Sequence, residues 1–369
     1  MKIDRSKLDD LSLGSVFLAT GGGGDPYVSL LLAREVLGSD RTVPLITPTA
    51  LSDDAFVATI GGVGAPSVSL ELLPSVRDIV KALDAFEALH QRTLDAIVSF
   101  EVGGGNSLVP IIAAAIRGIP LVDGDGMGRA LPEAQMMTFP IAGISPTPAV
   151  VIDYECNVAT LTTRDPATYE RHIRVLAQAM GGRITAVEHP MSGAELKRAV
   201  VPDTISFAIG LGRLLREHRG NAHQLLSPLN ASIGDSIYGD AHHLFTGNVG
   251  DYETRIVGGY DIGAAVIEPF GANTEPLTLS IKNEYLMAKQ GDRVLATVPD
   301  LITLLDFETA KPVNAERLRF GQRVSVIAVG CPDFYRQSNA LDVVAPRCFG
   351  FDVDFRPVET LAKFHQPMG

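Results

Sequence analysis

Four clusters of glycine constrain this chain more than any other feature: Gly21-Gly22-Gly23-Gly24, Gly61-Gly62-Val63-Gly64, Gly103-Gly104-Gly105 and the alternating Asp123-Gly124-Asp125-Gly126-Met127-Gly128. Glycine runs that follow apolar runs mark places where a backbone turns tightly or comes close to a ligand. Three of the four follow short strand-like runs directly, at 56–60, 96–100 and 121–122. Helix-like segments at 27–37, 76–90 and 108–117 alternate with these runs, their apolar residues recurring at helical spacing. Short apolar strands alternating with helices predict a mostly parallel sheet covered by helices. Ligands in such sheets sit beyond the carboxyl ends of the strands, so the glycine loops are expected on a ligand-binding rim. The first cluster is different. It follows a helix expected over 11–19, so the pattern does not fix its place on that rim.

From Pro148 the character changes. A strand-like stretch at 150–160 leads into helices expected over 168–180, 192–198 and 203–218, with Ser192 and Asp203 as N-caps. Beyond about residue 240 the chain reads as β structure, most clearly at 277–281, 293–298 and 324–329. The expected organisation is an α/β domain with a mostly parallel sheet over 1–160, carrying the glycine loops. A helical continuation follows over 161–240, then a β-rich domain over 241–369. No low-complexity linker separates these parts, so they are expected to pack together.

Charge narrows the function. With 31 basic and 43 acidic side chains the formal charge is −12, which argues against nucleic acid, where affinity comes from Lys and Arg. An anionic membrane surface is disfavoured for the same reason, and no apolar run approaches the roughly 18 residues that span a bilayer. The stretch MKIDRSKLDDLSLGS is too charged for a signal peptide, and a cytoplasmic protein is expected. Cys156, Cys331 and Cys348 are an odd number, too far apart for a zinc knuckle; reduced thiols are the expectation. Cys331, before Pro332 at the end of an apolar run, is the one candidate nucleophile among them.

The loops carry the chemistry. Gly22, Gly23 and Gly24, leading into a helix, could offer backbone amides to an anion. The dinucleotide fingerprint fits poorly, because no strand precedes these glycines, and a Walker A loop lacks its lysine. Glu101 and Asn106 bracket Gly104 and Gly105, an acid and an amide able to hold a polar ring or a water. Asp123 and Asp125, two carboxylates two residues apart among glycines, need something positive or protonated between them. Arg129, a divalent metal ion or a substrate are the candidates, with Glu133 able to join. The pair His242-His243 is a plausible metal-ligand neighbourhood, although adjacent side chains seldom point at one centre. His189 and His223 read as surface or capping residues.

Taken together, several of these stretches resemble a known family. They are Gly21-Gly22-Gly23-Gly24-Asp25-Pro26, Glu101-Val102-Gly103-Gly104-Gly105-Asn106 and the run from Asp123 through Arg129 to Glu133. Asn283-Glu284-Tyr285-Leu286, the stretch from Ala296 to Ile302 and that from Leu318 to Val324 complete the set. In this order they resemble the DUF917 family, whose members are described as S-methyl thiohydantoin desulfurases. The resemblance spans nearly the whole chain. It implies an α/β N-terminal domain, a β-rich C-terminal part, and hydrolysis of a hydantoin-like five-membered ring with release of a small thiol. It names no cofactor, although a divalent metal could be used. Asp123, Asp125 or Glu101 would then serve as base toward water, and glycine amides would steady developing charge. Asn106 would hold the ring, and Arg129 would orient the carboxylates or a substrate acid group. A homo-oligomer acting on a small hydantoin-like molecule is expected. The competing expectations are a non-catalytic accessory subunit of a hydantoin-processing enzyme and a phosphate-using enzyme.

Overall fold

A computed structural model describes residues 1–220, 222–271 and 274–363, apart from the side chain of His223, so the expectation for that histidine lies outside the described residues. Two sheets organise the chain. The first takes β1 (Lys2–Ile3), β2 (Val43–Ile46), β3 (Phe56–Gly64), β4 (Ala96–Ser99), β5 (Leu121–Asp125), β6 (Ala149–Ile152), β7 (Val158–Leu161), β8 (Arg183–Ser192) and β9 (Val201–Pro202). Its spatial order is β1-β2-β5-β4-β3-β8-β6-β7, with β9 alongside β5. The block β2-β5-β4-β3 is parallel. Antiparallel strands extend it on both sides. The central strand β4 reads Ala-Ile-Val-Ser and is buried throughout, as a strand covered on both faces must be.

The helices are α1 (Leu8–Leu18), α2 (Tyr27–Leu37), α3 (Val76–His90), α4 (Val109–Arg117), α5 (Thr138–Ile141), α6 (Pro166–Ala179), α7 (Gly193–Ala199), α8 (Thr204–Glu217), α9 (Ala222–Ile233), α10 (Ser338–Val344) and α11 (Val358–Ala362). In α3 the Ser75 side chain accepts the Asp78 N–H, and Ile79, Ala82, Leu83 and Phe86 form the buried stripe. Ser192 caps α7 through a reciprocal box with Glu195, as its spacing suggested. Asp203 precedes α8 without making a side-chain cap. That task falls to a residue distant in sequence, described below.

Two expectations change. The strand-like stretch at 150–160 is a hairpin, β6 and β7, whose connection is tied by the Asp153 carboxylate to the N–H groups of Glu155 and Asn157. The segment 161–240, expected to be helical, also supplies β8, which lies between β3 and β6 inside the first sheet. Its Arg, Glu, His and Pro break the alternation by which a strand is recognised, and yet Arg183, Glu188 and His189 are buried.

The second sheet is antiparallel: β10 (His242–Val257), β11 (Tyr260–Pro269), β12 (Leu277–Lys282), β13 (Glu284–Gln290), β14 (Arg293–Thr297), β15 (Leu301–Asp306), β16 (Pro312–Val313) and β17 (Arg323–Val329). They lie in the order β14-β13-β12-β11-β10-β17-β15-β16. Its own core centres on residues such as Val249, Ile267, Leu279, Tyr285, Leu304 and Val326. The two sheets meet at the first glycine loop. Thr20 O accepts the Tyr285 N–H at 2.7 Å and Gly21 O accepts the Ala315 N–H at 2.8 Å. Gly22 O accepts Asn314 Nδ2 at 3.1 Å.

Candidate active site

Beyond the carboxyl ends of the parallel strands β3 and β4 lies a cleft with about 930 Å³ of space unoccupied by atoms, its open mouth included. Its walls come from residues 62–64, from Phe100, Glu101, Gly105 and Asn106 after β4, and from Met127 and residues 131–134 after β5. The second sheet closes it with Asn283 and Glu284, where β12 turns into β13. This is where a sheet of this kind is expected to hold a ligand.

Glu101 sits in the wall and is almost fully buried. Asn106 Nδ2 donates to its Oε1 at 2.7 Å, while Asn106 Oδ1 accepts the Gly62 N–H at 2.7 Å. Asn106 therefore joins the β3 and β4 loops and fixes the carboxyl between them; it is not the cap of the following helix. Glu101 Oε2 has no hydrogen-bond partner. Burial, the largest influence, pushes this carboxyl up to about 8, with the charge of Asp125 adding to it.

Glu284 is the second acid of the cleft. It is buried, its Oε2 likewise lacks a partner, and burial followed by the charge of Glu101 raises it well above the usual carboxylate range. The first glycine loop explains how it gets there. A Cβ on Gly22 would collide with the Glu284 carboxyl, and one on Gly21 with the Tyr285 ring. Gly23 and Gly104 pack backbone to backbone, and Gly105 N–H donates to the carbonyls of Gly23 and Gly24. Gly23, Gly24 and Gly105 reach the cleft lining, whereas Gly22 and Gly104 do not. Close packing, of Gly22 against Glu284 of the second sheet and of Gly104 against Gly23 and Gly24 within the α/β part, thus accounts for these two glycines in place of the ligand contact expected for them.

The Asp123-Gly124-Asp125 stretch is built differently from expectation. Neither carboxylate lines the cleft. Asp123 Oδ1 accepts the Ser206 N–H at 2.9 Å, and its carbonyl accepts the Asp203 N–H at 3.0 Å, so it caps α8 from the neighbouring strand. Asp125 is wholly buried, and its Oδ2 accepts the N–H groups of Val102, Met127 and Gly128 at 2.8, 3.1 and 2.8 Å. It ties the Glu101 loop to the next one, and burial lifts it to about 7. Arg129 is also wholly buried. It donates to the carbonyls of Ala130, Pro299 and Asp300 and to Thr20 Oγ1, joining the glycine-loop region to the start of β15 without touching Asp123 or Asp125. Glu133 does line the cleft, where it pairs with Lys282.

Sequence reasoning missed Glu284, Asn283, Glu188 and Arg183, all of which line the cleft. The Asn283-Glu284 pair was visible only as part of a family pattern. Glu188 accepts the Tyr169 hydroxyl and lies 3.3 Å from His189 Nδ1; His189 is fully buried rather than at the surface. His242 and His243 do not converge. His243 Nε2 meets Thr246 Oγ1 at 2.7 Å, while His242 borders a separate hollow with Asp240, Arg336 and Glu359. Among the described residues no group of three or more His, Cys, Asp or Glu could hold a metal ion. Cys331 is buried beside Asp300, and burial with that carboxylate raises its thiol well above its ordinary value, the reverse of what a nucleophile needs.

The chain's relatives agree with this architecture. The description S-Me-THD-like, N-terminal domain, matches residues 6–163, and S-Me-THD-like, C-terminal domain, matches residues 164–358. The crystal structure of a protein from Chromobacterium violaceum superposes with a TM-score of 0.80 at 23% identity, covering 97% of this chain and 100% of that one. At that identity the likeness is one of fold. Among curated proteins none matches this chain. No helix among the described residues is long and apolar enough to cross a membrane. With both halves matched in order, the chain belongs to the S-Me-THD-like family, that of the S-methyl thiohydantoin desulfurases.

Proposed function

We propose that this chain is a hydrolase that replaces the methylthio group at C2 of an S-methyl thiohydantoin with oxygen from water. The observation that carries this reading is the pair Glu101 and Glu284. These are two buried carboxyls bordering one cleft, each with an unpartnered oxygen and each pushed toward its protonated form. Glu101, which Asn106 holds between the two loops, is the base, and Glu284, presented from the second sheet, is the acid. Glu284 gives a proton to the ring nitrogen doubly bonded to C2, making that carbon electrophilic. Glu101 takes a proton from the water whose oxygen bonds to C2. In the tetrahedral adduct the hydroxyl proton passes to Glu284, the C2–O double bond forms and the C2–S bond breaks. Its electron pair leaves on sulfur, which collects the proton from Glu101 as methanethiol. Both acids return to their starting states, and the ring departs as a hydantoin. Asn106 holds Glu101 in place throughout.

Because the base must be ionised, kcat/KM should rise with pH through about 8 and fall once Glu284 ionises. The direct test incubates the purified chain alone with an S-methyl thiohydantoin in ¹⁸O-labelled water. Methanethiol and a hydantoin carrying one ¹⁸O at C2 are expected in equal amounts. A ring-opened product, or no thiol from the chain without a partner protein, would reject the reading.

A further inference from the structure

Each sheet ends in two edge strands, and an edge whose backbone is unpaired is a template for another chain. Three of the four edges are guarded. β1 has two residues and opens on Lys2, and β16 has two and opens on Pro312. β14 opens on the exposed Arg293, and α11 packs against it. β7, at the far end of the first sheet, pairs with β6 alone. From Asn157 to Thr163 the chain carries no charged residue and no proline, so this edge lacks the devices that turn a second strand away. Val158 is 50% exposed, and the side chains of Thr160 and Thr162 are exposed beside it.

Two hydrogen bonds fix which backbone groups face outward. Asp153 N–H donates to Asn157 O at 3.2 Å, and Thr163 N–H donates to Thr147 Oγ1 at 3.4 Å, so Asn157 and Thr163 point toward β6. Backbone groups alternate in direction along a strand, and Ala159 and Leu161 therefore point inward too. Val158, Thr160 and Thr162 turn their N–H and C=O groups away from the sheet. Among the described residues these groups have no hydrogen-bond partner.

We infer that β7 is the interface with a second copy of this chain, which lays its own β7 alongside, antiparallel, about a two-fold axis at Thr160. A second copy fits better than another extended chain because the strand is complementary to itself. With Thr160 opposite its twin, Val158 of each copy stands opposite Thr162 of the other. Every outward N–H then meets an outward C=O, and the exposed side chains form β-branched cross-strand pairs. The neutral stretch sets no like charges against each other, although the whole chain carries −12. At its ends the exposed Arg164 of each copy approaches the β6–β7 turn of the other, which carries the exposed Glu155, and these charges are opposite. β8 and β6 separate β7 from the cleft strand β3, so the pairing neither closes the cleft nor depends on the hydrolase chemistry.

Sedimentation equilibrium of the purified full chain, from low to high micromolar concentration, should show a monomer–dimer equilibrium. Thr160→Pro deletes an outward N–H and spares the bonds to β6, a place where an edge strand tolerates proline. It should raise the dimer Kd at least about tenfold. Thr160→Val keeps that N–H and should leave the Kd within about threefold. Hydrogen exchange of the unaltered protein, resolved to single residues by mass spectrometry, gives a second readout. The amides of Val158, Thr160 and Thr162 should gain protection as concentration rises, while those of Ala159 and Leu161 stay protected throughout. A monomer at every concentration would overturn the assignment. So would a dimer whose Kd ignores Thr160→Pro, or one in which the three outward amides exchange equally fast in dilute and concentrated samples. Where Thr160→Pro does not fold, the exchange pattern of the unaltered protein decides alone.

Discussion

Glu284 and Gly22 are one feature seen from the two sides of the contact between the sheets. The acid can enter the cleft only because residue 22 has no side chain where its carboxyl lies. The same economy governs the two aspartates after β5, which face structural donors rather than substrate. Asp123 is a helix cap, and an asparagine would keep the accepting oxygen that meets the Ser206 N–H. Asp123→Asn should therefore keep turnover within about threefold and cost no more than about 1 kcal/mol in a denaturant melt. A loss of several orders of magnitude in kcat, with folding intact, would return Asp123 to the chemistry. Paired acids among glycines advertise a polar site in sequence, yet the pattern cannot separate a carboxylate that holds N–H groups from one that meets a ligand. Glu101 and Asn106 were legible because an acid and an amide bracket a bend at a strand end. Glu284 was not, since nothing local distinguishes it from any other charge at a β turn.

Among the elements, α1 and α8 make the closest helix pair. Gly14 and Gly212 sit at their crossing, where a Cβ on Gly14 would strike the Ala208 carbonyl and one on Gly212 the Asp10 carbonyl. Both obstacles are backbone, so the helices would have to separate. Gly212→Ala should destabilise the fold by about 1–3 kcal/mol despite the better helix propensity of alanine. Unchanged or raised stability in chemical denaturation would show that the crossing tolerates a methyl. The parallel strands β3 and β4 and helices α2, α3 and α4 were readable from apolar spacing because they carry single, consistent patterns. The strand β8 was hidden because it brings Arg183, Glu188 and His189 into the interior. A strand that breaks the binary pattern to place charges inside is often a functional one.

Across the whole molecule, buried carboxyls dominate the response to pH. Burial lifts Asp300 to about 6, Asp125 to about 7, and Glu101 and Glu316 to about 8, and it raises Glu284 well above the usual carboxylate range. Unfolded, such groups titrate near 4. Their proton favours the folded state, so this stability is fully present below about pH 4 and is lost as pH rises through 6 to 8. Asp4 and Asp165, lowered to about 2, act in the opposite sense only in strong acid. The urea midpoint should accordingly fall between pH 6 and pH 9; a midpoint that rises over that interval would contradict the burial of these acids. The division into an α/β part and a β-rich part could be read from the chain. Their joint ownership of the cleft could not, because the contact of Glu284 with Gly22 links residues far apart in sequence.

On the proposed mechanism Glu101 and Glu284 perform the hydrolysis together. The most direct measurement is the rate of methanethiol release by Glu101→Gln and Glu284→Gln, beside melting curves for each. An amide keeps the shape of the acid but cannot pass a proton, so each change should lower kcat by about 10²–10⁴ while the fold persists. Turnover close to that of the unaltered protein in both variants would remove both acids from the chemistry.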